Sequence, residues 1–263
     1  MKTTKAVILG AGKGSRMKSE LPKVLHTVNG RPMMVHAIER AREAGVDDVI
    51  IVVGYKKDEV MEALGDQGVG FAVQDEQRGT GHAVLCASDQ LAGFDGNVVV
   101  LYGDMPLLGS GTIRSLVEAR EAQDAAAIAL TIELPNPPDF GRIVRDASGQ
   151  VVRVVEVKDC TPEELAIREV NVGAYCFDGP ALLEALAELS DDNAQGEYYL
   201  TDVLGIMAGK GQRTGTVVSP NLEEALGVND PTALAFAESL EDIRYAESLY
   251  DLIDATAQAA RET

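Results

Sequence analysis

One stretch near the start constrains this chain more than any other. A short apolar run, Ala6-Val7-Ile8-Leu9, leads directly into alternating glycines at Gly10, Gly12 and Gly14. The run has the character of a buried strand. The loop Leu9-Gly10-Ala11-Gly12-Lys13-Gly14 has so little side-chain bulk that its backbone N–H groups can approach an anion closely. Arg16 and Lys23 follow as fixed positive charges, and Pro22 stiffens the approach to Lys23. Together these parts offer donors for phosphate oxygens and charge to balance them. A plain tight turn would explain the glycines but not the company of Arg16, Pro22 and Lys23.

Three motifs compete for the loop. The dinucleotide fingerprint fails because Ser15 holds the position of its third glycine. Its ribose-binding acid is also missing, since the second apolar strand, Val49 to Val53, runs into Gly54-Tyr55. The Walker A pattern fails because no Gly-Lys-Ser/Thr closes the loop. The third candidate fits. Gly10 to Met17, GAGKGSRM, followed by Leu21-Pro22-Lys23, resembles the loop of nucleotidyltransferases that make nucleoside-diphosphate sugars. That family usually has Ala and Thr where this chain has Gly10 and Ser15, and both exchanges keep the backbone role.

Composition removes other classes. The formal charge of −19 argues against nucleic acid and anionic membranes as partners. No apolar run has transmembrane length and no signal peptide is visible, so a cytoplasmic protein is expected. Cys86, Cys160 and Cys176 are odd in number and far apart, which suits reduced thiols. His26, His36 and His82 are too scattered to suggest zinc.

Strands and helices then alternate at short spacing, predicting right-handed crossovers, a mostly parallel sheet and ligands at the carboxyl ends of its strands. A helix is expected from Pro32 to about Gly45, another over about Asp58 to Leu64, and a third strand over Phe71 to Val73, ending at Gln74. The polar stretch Gln74 to His82 opens a helix near Gly81. Gln74 offers an amide suited to a pyrimidine edge; helix capping by Thr80 with a solvated Gln74 is the alternative. Asn97 to Tyr102 is the fourth strand, followed by Gly103-Asp104. An Asp at such a strand end is a common Mg²⁺ position. Further expected elements are a helix over Gly111 to Ala122 and strands over Ala126–Leu134, Ile143–Val144, Val151–Val157, Glu169–Phe177 and Arg213–Val218. After Val228-Asn229-Asp230, Pro231 opens a long helix with an apolar stripe of Leu234, Ala237, Leu240, Ile243 and Ile253.

The segments DFGRI, EVKD, EVNVGAYCF and NAQGEYYLTD recur in the order found in one family. The chain resembles the uridylyltransferase half of bacterial bifunctional N-acetylglucosamine-1-phosphate uridylyltransferase/glucosamine-1-phosphate acetyltransferase. The resemblance implies an α/β, Rossmann-like, mostly parallel sheet of the nucleotidyltransferase type, with a β-rich sugar-binding lobe and a C-terminal helix. Residues 1–231 would form the nucleotidyltransferase domain, with a nucleotide part to about 134 and a sugar part from about 135; 232–263 would be a helical extension. It implies that Gln74, Gly79 and Thr80 hold uracil and that Leu9 and Gly12 lie beside the nucleoside. Arg16 and Lys23 would hold phosphates, and Asp104 and Asn229 would bind Mg²⁺. Tyr102, Gly103, Gly141, Glu156, Asn171, Glu197, Tyr199 and Thr201 would line the sugar pocket. Val157 departs from the family's usual His. No hexapeptide repeats follow, so acetyltransferase activity and a β-helix trimer are not expected of these residues. The implied substrates are UTP and N-acetylglucosamine 1-phosphate; without the repeats a monomer is expected, with a weak dimer as the alternative. The rivals are a pyrophosphorylase for another sugar 1-phosphate (forming UDP-glucose or UDP-N-acetylgalactosamine, for example), a non-catalytic nucleotide-sugar sensor, and a dinucleotide-dependent oxidoreductase. A sensor should have lost Asp104 or Lys23, and both are present.

Overall fold

The computed structural model describes residues 2–242. Ile243, Ile253 and the rest of the expected C-terminal extension from residue 243 onwards lie outside the described residues. Strand β1 (Thr4–Leu9) begins the sheet, and helix α1 (Met33–Glu43) leads to β2 (Asp48–Val53). Helix α2 (Lys57–Leu64), β3 (Gly70–Val73), α3 (Thr80–Leu85), β4 (Asn97–Tyr102) and α4 (Ser110–Gln123) complete the first half. The second half runs β5 (Ala127–Glu133), β6 (Arg142–Arg145), β7 (Val151–Val155) and β8 (Glu169–Asp178). It closes with α5 (Gly179–Leu186), α6 (Asp202–Gly209) and β9 (Thr214–Val218). Residues 231–242 are helical.

The spatial strand order is β9-β5-β8-β4-β1-β2-β3. The β3-β2-β1-β4 part and the β5-β9 pair are parallel, while β8 is antiparallel to both its central neighbours, β4 and β5. One sheet therefore runs through both halves of the chain. Only the β6–β7 hairpin leaves it, held at one pair, Val170 opposite Arg142.

Side-chain alternation along the strands makes the layers. Ala6 and Ile8 face α1, α2 and α4, through Met34, Ile38, Val60, Leu64, Ile113 and Leu116. Val7 and Leu9 face the other way, onto Val84 of α3, Leu182 and Leu186 of α5, and Val203 and Leu204 of α6. Burying each such aliphatic side chain contributes roughly 1.5–3 kcal/mol, so both faces of β1 hold the fold. A third, smaller cluster joins Met17, Val28, Met33 and Leu107 to Val228 and Ala237. It packs the helix that follows Asn229 against the glycine-loop side of the molecule.

Some elements differ from expectation. Pro32 is not the first helical residue; it is extended at φ −52°, ψ 139° and pairs with Thr27 in a two-residue ladder before α1. Helix α5 was not foreseen, although Asp178 accepts a bond from the Ala181 N–H at its start and Pro180 sits in its first turn. The strand expected to reach Val157 ends at Val155, because residues 157–159 turn into a short 3-10 helix. Among the described residues no helix is long and apolar enough to cross a membrane.

Candidate active site

Strands β1 and β4 lie side by side, yet the chain leaves them towards opposite edges of the sheet, from β1 to β2 and from β4 to β5, which opens a crevice beyond their carboxyl ends. The glycine loop leaves β1 and the Gly103-Asp104 turn leaves β4 at this point. The Gly10 N–H donates to the Val52 carbonyl at 2.9 Å, and the Gly103 N–H to the Leu9 carbonyl at 2.9 Å. The Met34 methyl stands where a Cβ at either glycine would lie, so this packing leaves Gly10 no room for the family's usual alanine without a shift. Gly14 has φ +62° and lies on the stem of Lys23. Gly12 has open space around it.

A cavity of about 240 Å³ brings Leu9, Gly10, Ala11 and Gly12 together with Lys23, Gln74, Gln77, Gly79, Thr80, Tyr102, Asp104 and Glu197. Gln74 is 3% exposed. Its Nε2 donates to the Gly79 carbonyl at 3.0 Å. Gly79, at φ +107°, passes so close to Tyr198 that a Cβ would lie 2.5 Å from the Tyr198 carbonyl oxygen. Around it the Tyr198 N–H donates to the Arg78 carbonyl, the Gly81 N–H to the Tyr198 carbonyl, and the Leu200 N–H to Thr80 Oγ1. Thr80 therefore does not cap α3; its hydroxyl ties that helix start to the 197–200 segment.

At the junction of the two halves, the Lys23 ammonium forms an ion pair with Asp104 Oδ2 and donates to Asn229 Oδ1 at 2.7 Å. Arg16 Nη2 donates to the same Asn229 oxygen at 2.8 Å. Asn229 is brought here because the Val228 N–H donates to the Asp104 carbonyl at 2.8 Å. One carboxylate oxygen and one amide oxygen thus already share a cation. A hard divalent cation takes such oxygen ligands, and Mg²⁺ needs only one or two from protein when phosphates and water supply the rest. The donor set fits Mg²⁺, while no cluster of three or more His, Cys, Asp or Glu suited to a metal occurs among the described residues.

A second cavity, of about 380 Å³, shares Tyr102 and Asp104 with the first and adds Asp139, Phe140, Gly141, Glu156, Asn171, Gly173 and Asn229. The register between β8 and β5 shifts between Asn171 and Tyr175. This irregularity lies where Asn171 and Gly173 line the cavity. The Asn171 amide donates to the Tyr175 hydroxyl at 2.7 Å, and its Oδ1 accepts from the Gly173 N–H at 3.3 Å. Thr201 Oγ1 donates to Glu156 Oε1 at 3.0 Å. Burial pushes the Glu156 carboxyl above the usual carboxylate range, the Thr201 bond pulls it back, and the Asp159 charge adds to the rise.

The sequence-predicted residues do not all converge. Gly141, Glu156 and Asn171 line the second cavity, and Thr201 reaches it through Glu156. Glu197 lines the first cavity. Tyr199 instead lines a third, of about 640 Å³, with Asp159 and Asp202; its hydroxyl accepts from Gln195 at 2.7 Å. Gly103 and Gly14 line neither of the first two. Gln77 and Asp139 were missed, though each sits in a polar or proline-rich loop beside a predicted residue.

Residues 6–202 match the MobA-like NTP transferase domain model. The chain is 48% identical over 234 residues to "Bifunctional protein GlmU" of Shouchella clausii, covering 89% of this chain and 51% of that protein. A protein of the same name from Clostridium tetani is 46% identical over 235 residues, again 89% of this chain and 51% of the relative. The chain thus spans about half the length of the curated relatives it matches. A crystal structure of a Bacillus anthracis protein assigned as a glucose-1-phosphate thymidylyltransferase, in complex with sucrose, superposes with a TM-score of 0.72 at 25% identity. The match covers 90% of this chain and 95% of that one.

Proposed function

This chain belongs to the MobA-like NTP transferase domain family, and from that premise we propose that it is a uridylyltransferase making UDP-N-acetylglucosamine and pyrophosphate from UTP and N-acetylglucosamine 1-phosphate. One observation carries the reading. Two cavities meet at Asp104, and the groups at their junction are Lys23, Arg16 and Asn229. A nucleotide in one and a sugar phosphate in the other would bring their phosphates to that junction.

In this reading the first cavity holds the nucleoside, with the glycine loop along the triphosphate and Gln74 at the base. The second holds the sugar, with Glu156 and Asn171 as partners for its hydroxyl and acetamido groups. A phosphate oxygen of the sugar 1-phosphate attacks the α-phosphorus of UTP in line. The new P–O bond forms as the bond to the β-phosphate oxygen breaks, and pyrophosphate leaves. A phosphate monoester is already ionised near pH 7, so no base is required of the protein. Positioning and charge neutralisation remain. Lys23 and Arg16 supply cations where charge builds on the departing pyrophosphate. Mg²⁺ held by Asp104 and Asn229 would neutralise the reacting phosphates. Residues 1–231 form the catalytic unit in this reading, acting in the cytoplasm as a monomer.

The experiment is product identification. Purified protein with UTP, N-acetylglucosamine 1-phosphate and Mg²⁺ is expected to yield UDP-N-acetylglucosamine by mass spectrometry, with an equal amount of pyrophosphate. Formation of product only from another sugar 1-phosphate, or from dTTP with glucose 1-phosphate, would reassign the second cavity or the first.

A further inference from the structure

The Gln74 amide is held from two sides. Its Nε2 donates to the Gly79 carbonyl at 3.0 Å and also contacts His82 Nδ1 at 3.0 Å. An amide nitrogen carries two hydrogens and no acceptor, so His82 must accept here through a bare Nδ1. Its proton is then on Nε2, which faces the Cys86 thiol at 4.0 Å. Both amide hydrogens are consumed inside the protein. Gln74 lines the first cavity, and its Oε1 has no hydrogen-bond partner among the described residues. The amide therefore presents an acceptor to the cavity and no donor. His82 itself does not line that cavity.

We propose that His82 is a positioning residue that sets the base selectivity of this site, by taking the second proton of the Gln74 amide so that only an acceptor faces the base. The inference rests on the uridylyl-transfer reading for its ligand class. Uracil presents an N3–H donor, which an acceptor matches. Cytosine presents a bare N3 at the same place, and two acceptors then face each other. The Gly79 carbonyl and His82 together hold the nitrogen end of the planar amide away from the base. Without His82 only the Gly79 bond opposes turning the amide over, an N–H can then face the ligand, and the site accepts cytosine as well as uracil. Rejection based on unpaired buried polar groups is strong, so its loss is a large effect.

The test measures UTP and CTP affinity by calorimetry in the absence of sugar phosphate, alongside kcat and KM for pyrophosphate release. Three variants bracket the role. His82→Leu removes the acceptor. His82→Asn places an amide oxygen near the Nδ1 position. His82→Gln keeps size and polarity but carries its amide at the Nε2 end. The wild type is expected to prefer UTP strongly. That preference should fall at least tenfold in His82→Leu and His82→Gln, through KM rather than kcat, and survive within threefold in His82→Asn. If His82→Leu does not fold, the contrast between the Asn and Gln variants decides. An unchanged UTP/CTP binding ratio in a folded Leu or Gln variant would overturn the inference. So would an Asn variant as relaxed as the Gln one, or a wild type that binds both nucleotides alike. A binding ratio that shifts as expected in a protein that releases no pyrophosphate would support the role of His82 and reject the reaction.

Discussion

The two cavities that meet at Asp104 are built from different materials. The first has two backbone walls, the glycine loop and the Gly79-Thr80 turn, the latter stitched to residues 197–200 by three hydrogen bonds from backbone N–H groups, with Gln74, Gln77 and Glu197 beside them. The second is lined by side chains that carry charge or amide groups, among them Asp139, Glu156 and Asn171, with no Lys or Arg among its lining residues. Among the described residues lining either cavity Lys23 is the one Lys or Arg, and it and Arg16 both reach Asn229 at the junction. The contrast teaches how one site can treat two anionic substrates differently. A backbone cradle suits phosphate oxygens, which look alike in every nucleotide. A set of oriented side chains suits a sugar, whose identity lies in the placement of hydroxyl and acetamido groups.

The largest effect should come from breaking the junction that joins the halves. Lys23→Ala or Asp104→Ala is expected to lower kcat/KM about a hundredfold or more, since a group that stabilises transition-state charge is worth roughly 3 kcal/mol. Circular dichroism should show both variants folded. A folded Lys23→Ala protein with near-normal turnover would remove the junction from the account.

Next is the backbone cradle. Gly79→Ala places a side chain on a residue at φ +107° and against the Tyr198 backbone. Such strain costs of order 1–3 kcal/mol. Thermal stability should fall, and UTP affinity should fall further than sugar-phosphate affinity. Equal losses for both substrates would mean the two halves are not separable.

These two halves also differ in how far local sequence betrays them. The first draws mainly on short local stretches, Leu9 to Val24 and Gln74 to Ala83, so the glycine loop with Lys23 and the bounds of β4 are plain in the order of amino acids. The two packing faces follow from the alternation of side chains along β1 and β2, whereas the strand order, with β8 antiparallel between β4 and β5, has no local signature. The junction is less local: Asn229 reaches Lys23 only through the backbone bond from Val228 to Asp104. The second half draws on strands far apart in the chain, and the shift near Asn171 has no local signature beyond Gly173. Tyr199 illustrates the difficulty. It lies in the same segment as Glu197 and Thr201, yet it lines a different cavity, because residues 197–201 form a bend and a turn rather than a strand, so i, i+2 spacing does not keep them on one face.

Glu156→Gln tests the side-chain half alone. It should raise KM for the sugar 1-phosphate about tenfold, as expected when a hydrogen bond to a charged group is weakened, and leave KM for UTP within twofold. The wild-type carboxyl is held above the ordinary carboxylate range by burial, so it protonates at a higher pH than an exposed glutamate. The sugar-phosphate KM should accordingly climb as pH falls towards that range, and the Gln variant should lack this limb. A parallel rise in the variant would assign the pH effect to another group.

The smallest effect concerns crowding behind the second cavity. The Asp202 carboxyl is pushed up to about 6 by burial first, then by the charges of Glu156 and Asp159. A raised carboxyl is penalised in the fold when ionised. The penalty is present above that value and fades as pH falls towards the ordinary one. Asp202→Asn should therefore stabilise the protein at pH 8 by about 1 kcal/mol after discounting for partial solvent exposure, or roughly 2–4 °C in Tm, and not at pH 4. Equal stabilisation at both values would rule out charge as the cause.

The central claim is that one cavity reads the nucleotide while its neighbour reads the sugar. The most direct measurement is kcat/KM for pyrophosphate release with Mg²⁺ and UTP, comparing N-acetylglucosamine 1-phosphate with glucose 1-phosphate in the wild type and in Glu156→Gln. The account predicts a preference of about tenfold or more for the acetamido sugar, since a site built to bond a polar group rejects the analogue lacking it. The preference should shrink in the variant while KM for UTP stays within twofold. Equal kcat/KM for the two sugars in the wild type would contradict it.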